Sequence, residues 1–212
     1  MFDIEYKGAN AVIISTKNSR LMIDPKLSLV GLKDLNVKDA VELTTEERFV
    51  IDDDDAKLII NGPGEYGIDG FDITGVPARR HIDTENEGML STIYRIMIGE
   101  SRIGVVGNID KKLSDEQLEA LGVVDILILP VGGGGYTLDS VDAAKVISAI
   151  DPKVVIPVHY ADSSLKYEVP QDDLERFVTQ LGAPVETVSK YKYKPLVGGG
   201  NTGLSVVVIT KS

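Results

Sequence analysis

The chain has 212 residues, 43% hydrophobic and 26% charged, with a net charge of −11 and a pI near 4.7. This is ordinary globular composition, but the excess of carboxylates repels a phosphate backbone and excludes nucleic acid as a general partner. The absence of cysteine removes disulfides and thiolate metal sites together, and leaves His81 and His159 as the only imidazoles.

The opening Met1-Phe2-Asp3-Ile4-Glu5-Tyr6 has no basic segment followed by an apolar one, so no signal peptide is expected. The longest apolar runs, such as residues 126–131, are strand-length and far below the roughly 20 residues of a membrane span. A soluble, cytoplasmic protein of one layered domain is the expectation. Strand signals come at residues 11–15 and 20–24, joined by the polar turn Lys17-Asn18-Ser19. The pair Asp24-Pro25 stops the ladder, because proline has no N–H to donate. Further short strands are expected at 40–43, 48–51, 57–60 and 71–76, and this half reads as an antiparallel sheet. The turns between them include the acidic run Asp52 to Asp55, read as a solvated bend, and Asn61-Gly62-Pro63-Gly64-Glu65-Tyr66-Gly67, in which Glu65 is a candidate functional carboxylate.

The rhythm then changes. Residues 93–98 and 103–106 read as a hairpin, after which strand and helix alternate. Ser114-Asp115-Glu116-Gln117 is a capping-box pattern opening a short helix that ends at Gly122. A buried strand at 125–131 is followed by four glycines, 132–135, and a helix from Asp139 to Ile150 with Val141, Ala144, Val146, Ile147 and Ile150 on its apolar face. The next strand is 153–158. Residues 172–181 carry Leu174, Phe177, Val178 and Leu181 at helical spacing before Gly182, and strands at 185–189 and 204–209 close the chain.

Few residues carry chemistry. His159 sits just beyond an apolar strand, where sites in layered α/β folds form; His81 follows another strand end, and Asn108 and Asp110 follow a third. Imidazole and carboxylate suit Zn²⁺, Mn²⁺ or iron. The Gly132 to Gly135 loop invites a phosphate-binding reading, but it lacks both the Gly-Lys-Ser/Thr ending of a P-loop and the spaced glycines of a dinucleotide fingerprint. Gly198-Gly199-Gly200 reads as a loop ahead of the last strand.

These segments together resemble the small metal-dependent hydrolases of the metallo-β-lactamase superfamily, nearest to the branch that includes L-ascorbate-6-phosphate lactonase-like proteins. The resemblance is carried by Gly8-Ala9-Asn10-Ala11 with Arg20-Leu21-Met22-Ile23-Asp24-Pro25 as the opening hairpin, and by the stretch from Gly107 through the Leu-Ser-Asp-Glu-Gln-Leu helix to Pro157-Val158-His159-Tyr160. It implies an α/β fold, a four-layer αββα sandwich with the site where loops converge. It also implies an H-x-H-x-D-H ligand loop, and in its place stands Thr44-Thr45-Glu46-Glu47-Arg48-Phe49. By the same resemblance His81 and His159 match metal histidines, while Asn108 stands where a bridging aspartate is expected.

The first reading is therefore a divergent member that acts by binding a small molecule or a protein, without a cofactor and possessing a degenerate metal site. The alternative is a metal-dependent hydrolase cutting a phosphoester, lactone or amide. In that case one Zn or Mn ion is held by His81 and His159, with Asp110 or Glu65 as further ligand or general base and Glu46 and Glu47 as other acids within reach. The second alternative is a nucleotide-binding module built on Gly132 to Gly135. Composition leaves assembly open, with a homo-oligomer, commonly a dimer, as the default if the chain assembles.

Overall fold

Alternating burial of Phe2, Ile4 and Tyr6 along the first strand, β1 (Phe2–Gly8), sets one face of a sheet against the protein interior. The computed structural model describes residues 1–51, 55–82, 86, 88–194 and 203–212. Most of the acidic run, Asp52 to Asp54, and the Gly198-Gly199-Gly200 loop lie outside these residues.

Two sheets face each other. The six-stranded sheet has the order β13-β1-β2-β3-β4-β5, with β2 (Ala11–Ser15), β3 (Arg20–Ile23), β4 (Val41–Leu43), β5 (Leu58–Ile60) and β13 (Tyr191–Tyr193) beside β1. The eight-stranded sheet runs β12-β14-β11-β10-β9-β8-β7-β6. Its strands are β6 (Gly64–Ile68), β7 (Phe71–Ala78), β8 (Ser91–Ile98), β9 (Ser101–Val105), β10 (Ile126–Pro130), β11 (Val154–Val158), β12 (Val185–Val188) and β14 (Ser205–Ile209). The last strands return to both sheets, β13 to the first and β12 and β14 to the second.

The core between the sheets gathers Ile4, Val12, Ile14, Leu21 and Ile23 from one side and Phe71, Ile96, Ile103, Ile128 and Ile156 from the other. Each such side chain fully buried contributes about 1.5–3 kcal/mol. The outer face of the larger sheet carries a second core, where Leu121 of α1 (Asp115–Leu121), Val146 and Ile147 of α2 (Ser140–Ile150) and Phe177 of α3 (Leu174–Leu181) pack on Leu127, Leu129 and Val155. That explains why β10 is buried along its whole length. The α/β layering is thus the expected one. Its outer layer on the six-stranded side contains no α-helix among the described residues: Met22 and Ile13 are covered by Leu35, Val37 and Ala40 from the loop after β3.

Four expectations change. The first half is not wholly antiparallel, because β3, β4 and β5 pair in parallel; long crossovers between them return the chain in the same direction. Residues 48–51 are not a strand. A 3-10 turn, Glu47–Phe49, takes their place, closed by Phe49 N–H to Glu46 O and Val50 N–H to Glu47 O. Val141, expected on the apolar face of α2, is 44% exposed, and the neighbouring Ala143 makes the contact instead. β6 and β13 extend the sheets where only turn and loop were foreseen. Among the described residues no helix is long and apolar enough to cross a membrane.

Candidate functional site

The loops after β3, β4, β9, β10 and β11 converge at one end of the sandwich, and the buried polar residues Asn10, Asp24, Thr44, Thr45, Glu46, Asn108 and His159 lie on these loops or on the opening hairpin. Three hydrogen bonds tie them together: Asp24 N–H to Leu43 O, Val131 N–H to Val158 O, and His159 N–H to Ala9 O at 2.8 Å. His159 has a left-handed backbone (φ 51°), which directs its side chain back over the opening hairpin. It is 7% exposed, and its ring lies 4.8 Å from that of Tyr167.

The ring of His159 has a defined proton arrangement. Its Nδ1 lies 3.1 Å from Gln171 Oε1, and Gln171 Nε2 donates to Val169 O at 3.0 Å. With the Gln171 amide nitrogen committed to a carbonyl, its oxygen is the acceptor, so Nδ1 carries the proton and Nε2 keeps its lone pair. Burial holds the ring neutral by lowering its pKa to about 4.

Asp24 lines the same cleft. Its two carboxyl oxygens accept from Thr45, one from the backbone N–H and one from the hydroxyl, each at 2.7 Å. Burial nevertheless dominates and pushes its pKa up to about 7. The cleft measures about 90 Å³ and is walled by Leu27, Val30, Phe49 and Val169, and its polar lining includes Asn10, Tyr136 and Gln171 with the charged Lys26, Arg48 and Glu168.

Next to it stands a charge cluster. Glu46, with a side chain 3% exposed, meets Arg48 through Nε at 2.9 Å and Arg80 through one terminal nitrogen at 3.7 Å. Asn108 donates from Nδ2 to Glu46 Oε1 at 3.1 Å. Arg48 also donates to the Tyr136 hydroxyl and lies over the Phe49 and Tyr136 rings at 4.7 and 4.9 Å. Gly107 lets Thr45 pack close: its φ is +51°, and a Cβ there would meet Thr45 Cβ at 2.8 Å.

The other residues singled out in the sequence are placed as follows. His81 donates its backbone N–H to Asn108 O at 3.1 Å, and its buried Nδ1 has no hydrogen-bond partner. Asp110 accepts from Lys112 N–H and lines a separate cavity with Arg79 and Ser114. Glu65 is exposed on β6 opposite Thr74, on the edge strand of its sheet. Glu47 is exposed. The Gly132 to Gly135 loop is closed on itself, with Gly133 N–H bonded to Leu138 O, and the start of α2 is capped by the Asp139 carboxylate, which takes Val141 N–H and Asp142 N–H. The structure therefore joins Asn108 to Glu46 and to His81, but it places neither Asp110 nor Glu65 in the His159 cleft. Asp24, Asn10 and Gln171 were not foreseen. Asp24 carried a signal, an acid at the end of an apolar strand; the two amides carried none.

A family model described as "Beta-lactamase superfamily domain" matches residues 3–159. The chain belongs to this superfamily. Among curated relatives, a UPF0173 metal-dependent hydrolase of Methanopyrus kandleri is 29% identical over 138 residues, covering 61% of this chain and 57% of its own length. The chain thus spans about half the length of the curated relatives it matches, or less. Among solved structures, a metallo-beta-lactamase superfamily protein from Thermotoga maritima aligns with a TM-score of 0.73 and 20% identity, over 99% of this chain and 100% of that one. Igni18, a metallo hydrolase from Ignicoccus hospitalis, aligns with a TM-score of 0.65 and 19% identity, over 91% and 99%. At these identities the structures establish the fold.

The relatives' names raise the question of a metal, and the residues present answer it poorly. Among the described residues no three His, Asp or Glu side chains converge as a metal-holding group. Where the superfamily resemblance places a ligand loop, Glu46 is bound to two guanidinium groups and an amide. Held in this way, Glu46 is not free to ligate a metal ion.

Proposed function

We propose that the chain is a hydrolase-fold protein that acts on a small molecule in the cleft between the opening hairpin and the loop after β11. One observation carries the reading: a histidine with its Nε2 lone pair held free and a carboxyl group poised near neutrality line the same partly apolar cleft. In this reading His159 Nε2 accepts a hydrogen bond from substrate or water and fixes its orientation. Asp24, half protonated near pH 7, takes up and returns the proton that hydrolysis moves. The apolar wall excludes bulk water. The hydrolase names of the curated relatives support the same reading.

The test is a panel of aliphatic esters, lactones, amides and phosphoesters, run on the wild type, Asp24→Asn and His159→Ala, each with and without added Zn²⁺ or Mn²⁺. Turnover of one class that both variants lose supports the proposal. Turnover that survives His159→Ala would show that the reaction occurs elsewhere.

A second reading, binding without turnover, is favoured by the Glu46 cluster, because Glu46, in the segment where the superfamily resemblance calls for a ligand loop, is engaged by Arg48 and Arg80. Saturable ligand binding with no turnover of any class on the panel would select it.

A further inference from the structure

Asn10 is 5% exposed and lines the His159 cleft, yet neither its amide nitrogen nor its amide oxygen has a hydrogen-bond partner. Leaving both ends of a buried amide unsatisfied is costly, so a ligand or water completes it. Its position beside the imidazole is fixed by the backbone bond from His159 N–H to Ala9 O.

The inventory of free groups defines what fits. Asn10 Nδ2 offers N–H donors, Asn10 Oδ1 is an acceptor, and His159 Nε2 is a second acceptor. Gln171 spends its oxygen on His159 Nδ1 and one of its two amide N–H groups on Val169 O. Arg48 is engaged by Glu46 and Tyr136. A complement must therefore bring one carbonyl and two N–H groups on adjacent atoms. A carboxylate or an ester brings a carbonyl but no donor, and would leave both acceptors unpaired. Charge does not decide against a neutral ligand, since the lining holds the bases Lys26 and Arg48 together with the acids Glu168 and Asp24. Leu27, Val30 and Val169 form an apolar wall beside these polar groups, so the ligand carries a short aliphatic part next to its polar end.

We infer that Asn10 is a specificity-determining residue that reads a neutral primary amide. Asn10 and the ligand's amide pair edge to edge, its second N–H donates to His159 Nε2, and a short aliphatic carbon chain lies against Leu27, Val30 and Val169. The inference rests on the proposed function in naming its substrate class, but the recognition is tested apart from turnover.

The experiment measures binding of isobutyramide, isobutyrate and methyl isobutyrate, three near-isosteres, by ligand-observed NMR and calorimetry on the wild type, Asn10→Ala and Asn10→Asp. Isobutyramide should bind the wild type at least tenfold more tightly than the other two, and both variants should abolish that preference. Equal binding of the three ligands, tighter binding of isobutyrate, no binding of the amide, or a preference that persists in Asn10→Ala overturns the inference. If the variants do not fold, the wild-type comparison decides alone. Amide binding without turnover of any class on the panel leaves the inference standing and removes the hydrolase reading. Ester or phosphoester turnover that isobutyramide does not inhibit does the reverse.

Discussion

His159 Nδ1 and Gln171 Oε1 are 3.1 Å apart, and this one contact decides which nitrogen of the imidazole is available to the cleft. Gln171 is itself anchored by Val169 O, so the pair acts as a two-step brace from backbone to ring. Orientation of a functional histidine through its other nitrogen is a general device whose loss costs 10- to 100-fold in metal affinity or activity. Gln171→Leu should accordingly lower turnover of the panel substrate by about 10- to 100-fold, while Gln171→Glu, which keeps an acceptor at that position, should retain more of it. Steady-state rates on the two variants check this.

Gly132 bears on the same brace. A Cβ at this position would overlap both His159 O and Gln171 Oε1. Gly132→Ala should displace Gln171 and reduce activity toward the level of Gln171→Leu. Gly135→Ala is the control within the same loop, because no atom lies near its Cβ; its positive φ costs stability, about 1 kcal/mol, without reaching the site. Thermal melts and rates measured together separate the two effects.

Removing the carboxylate of Glu46 leaves Arg48, Arg80 and Asn108 facing one another without it. Breaking a buried pair by deleting one partner costs about 3–5 kcal/mol; the guanidinium side chains here are 30% and 25% exposed, so about 2–3 kcal/mol is expected for Glu46→Ala. That corresponds to a fall in Tm of roughly 4–12 °C for a chain of this size. Calorimetry compares it with Glu46→Gln, which keeps the acceptor for Asn108.

Asp24 and His159 impose opposite pH dependences on stability. The folded Asp24 holds its proton up to about pH 7, whereas the unfolded chain releases it near 3.8, so this group favours the folded state less as pH rises through that window. The unfolded His159 binds a proton below about 6.5, which the folded protein refuses down to about 4, so stability rises with pH between those values. In the wild type the two largely offset. Asp24→Asn should expose the histidine effect, a stability gain of about 3 kcal/mol between pH 4 and 6.5 at full expression. His159→Gln should show the reverse, a loss of stability over pH 4 to 7. Denaturant midpoints against pH for the three proteins test both signs.

Local signals were legible in the sequence wherever the physics is local. The capping box of Ser114 and Gln117 forms as read, with each side chain bonded to the other's backbone, and Asp139 caps α2. The apolar runs of β10 and β11 and the β2–β3 hairpin also follow from pattern alone. The parallel pairing of β3, β4 and β5 did not, because it depends on where crossovers return the chain. At residues 48–51 the β-rich side chains of Phe49, Val50 and Ile51 suggested a strand, but Arg48 turns inward to Glu46 and tightens the backbone into a 3-10 turn. The superfamily and its layering could be read from motif order. The cleft could not: Asn10 and Gln171 are neutral amides with no characteristic spacing, and Asp24 looked like a strand stop because Pro25 follows it.

With only two histidines in the chain, the imidazole nitrogens can be read directly by ¹H–¹⁵N NMR, using His81→Ala to assign them. His159 should carry its proton on Nδ1, stay neutral until the pH approaches about 4, and shift at Nε2 when the panel substrate or isobutyramide is added. A proton on Nε2, or an ordinary titration near 6.5 with no response to any ligand, would contradict this.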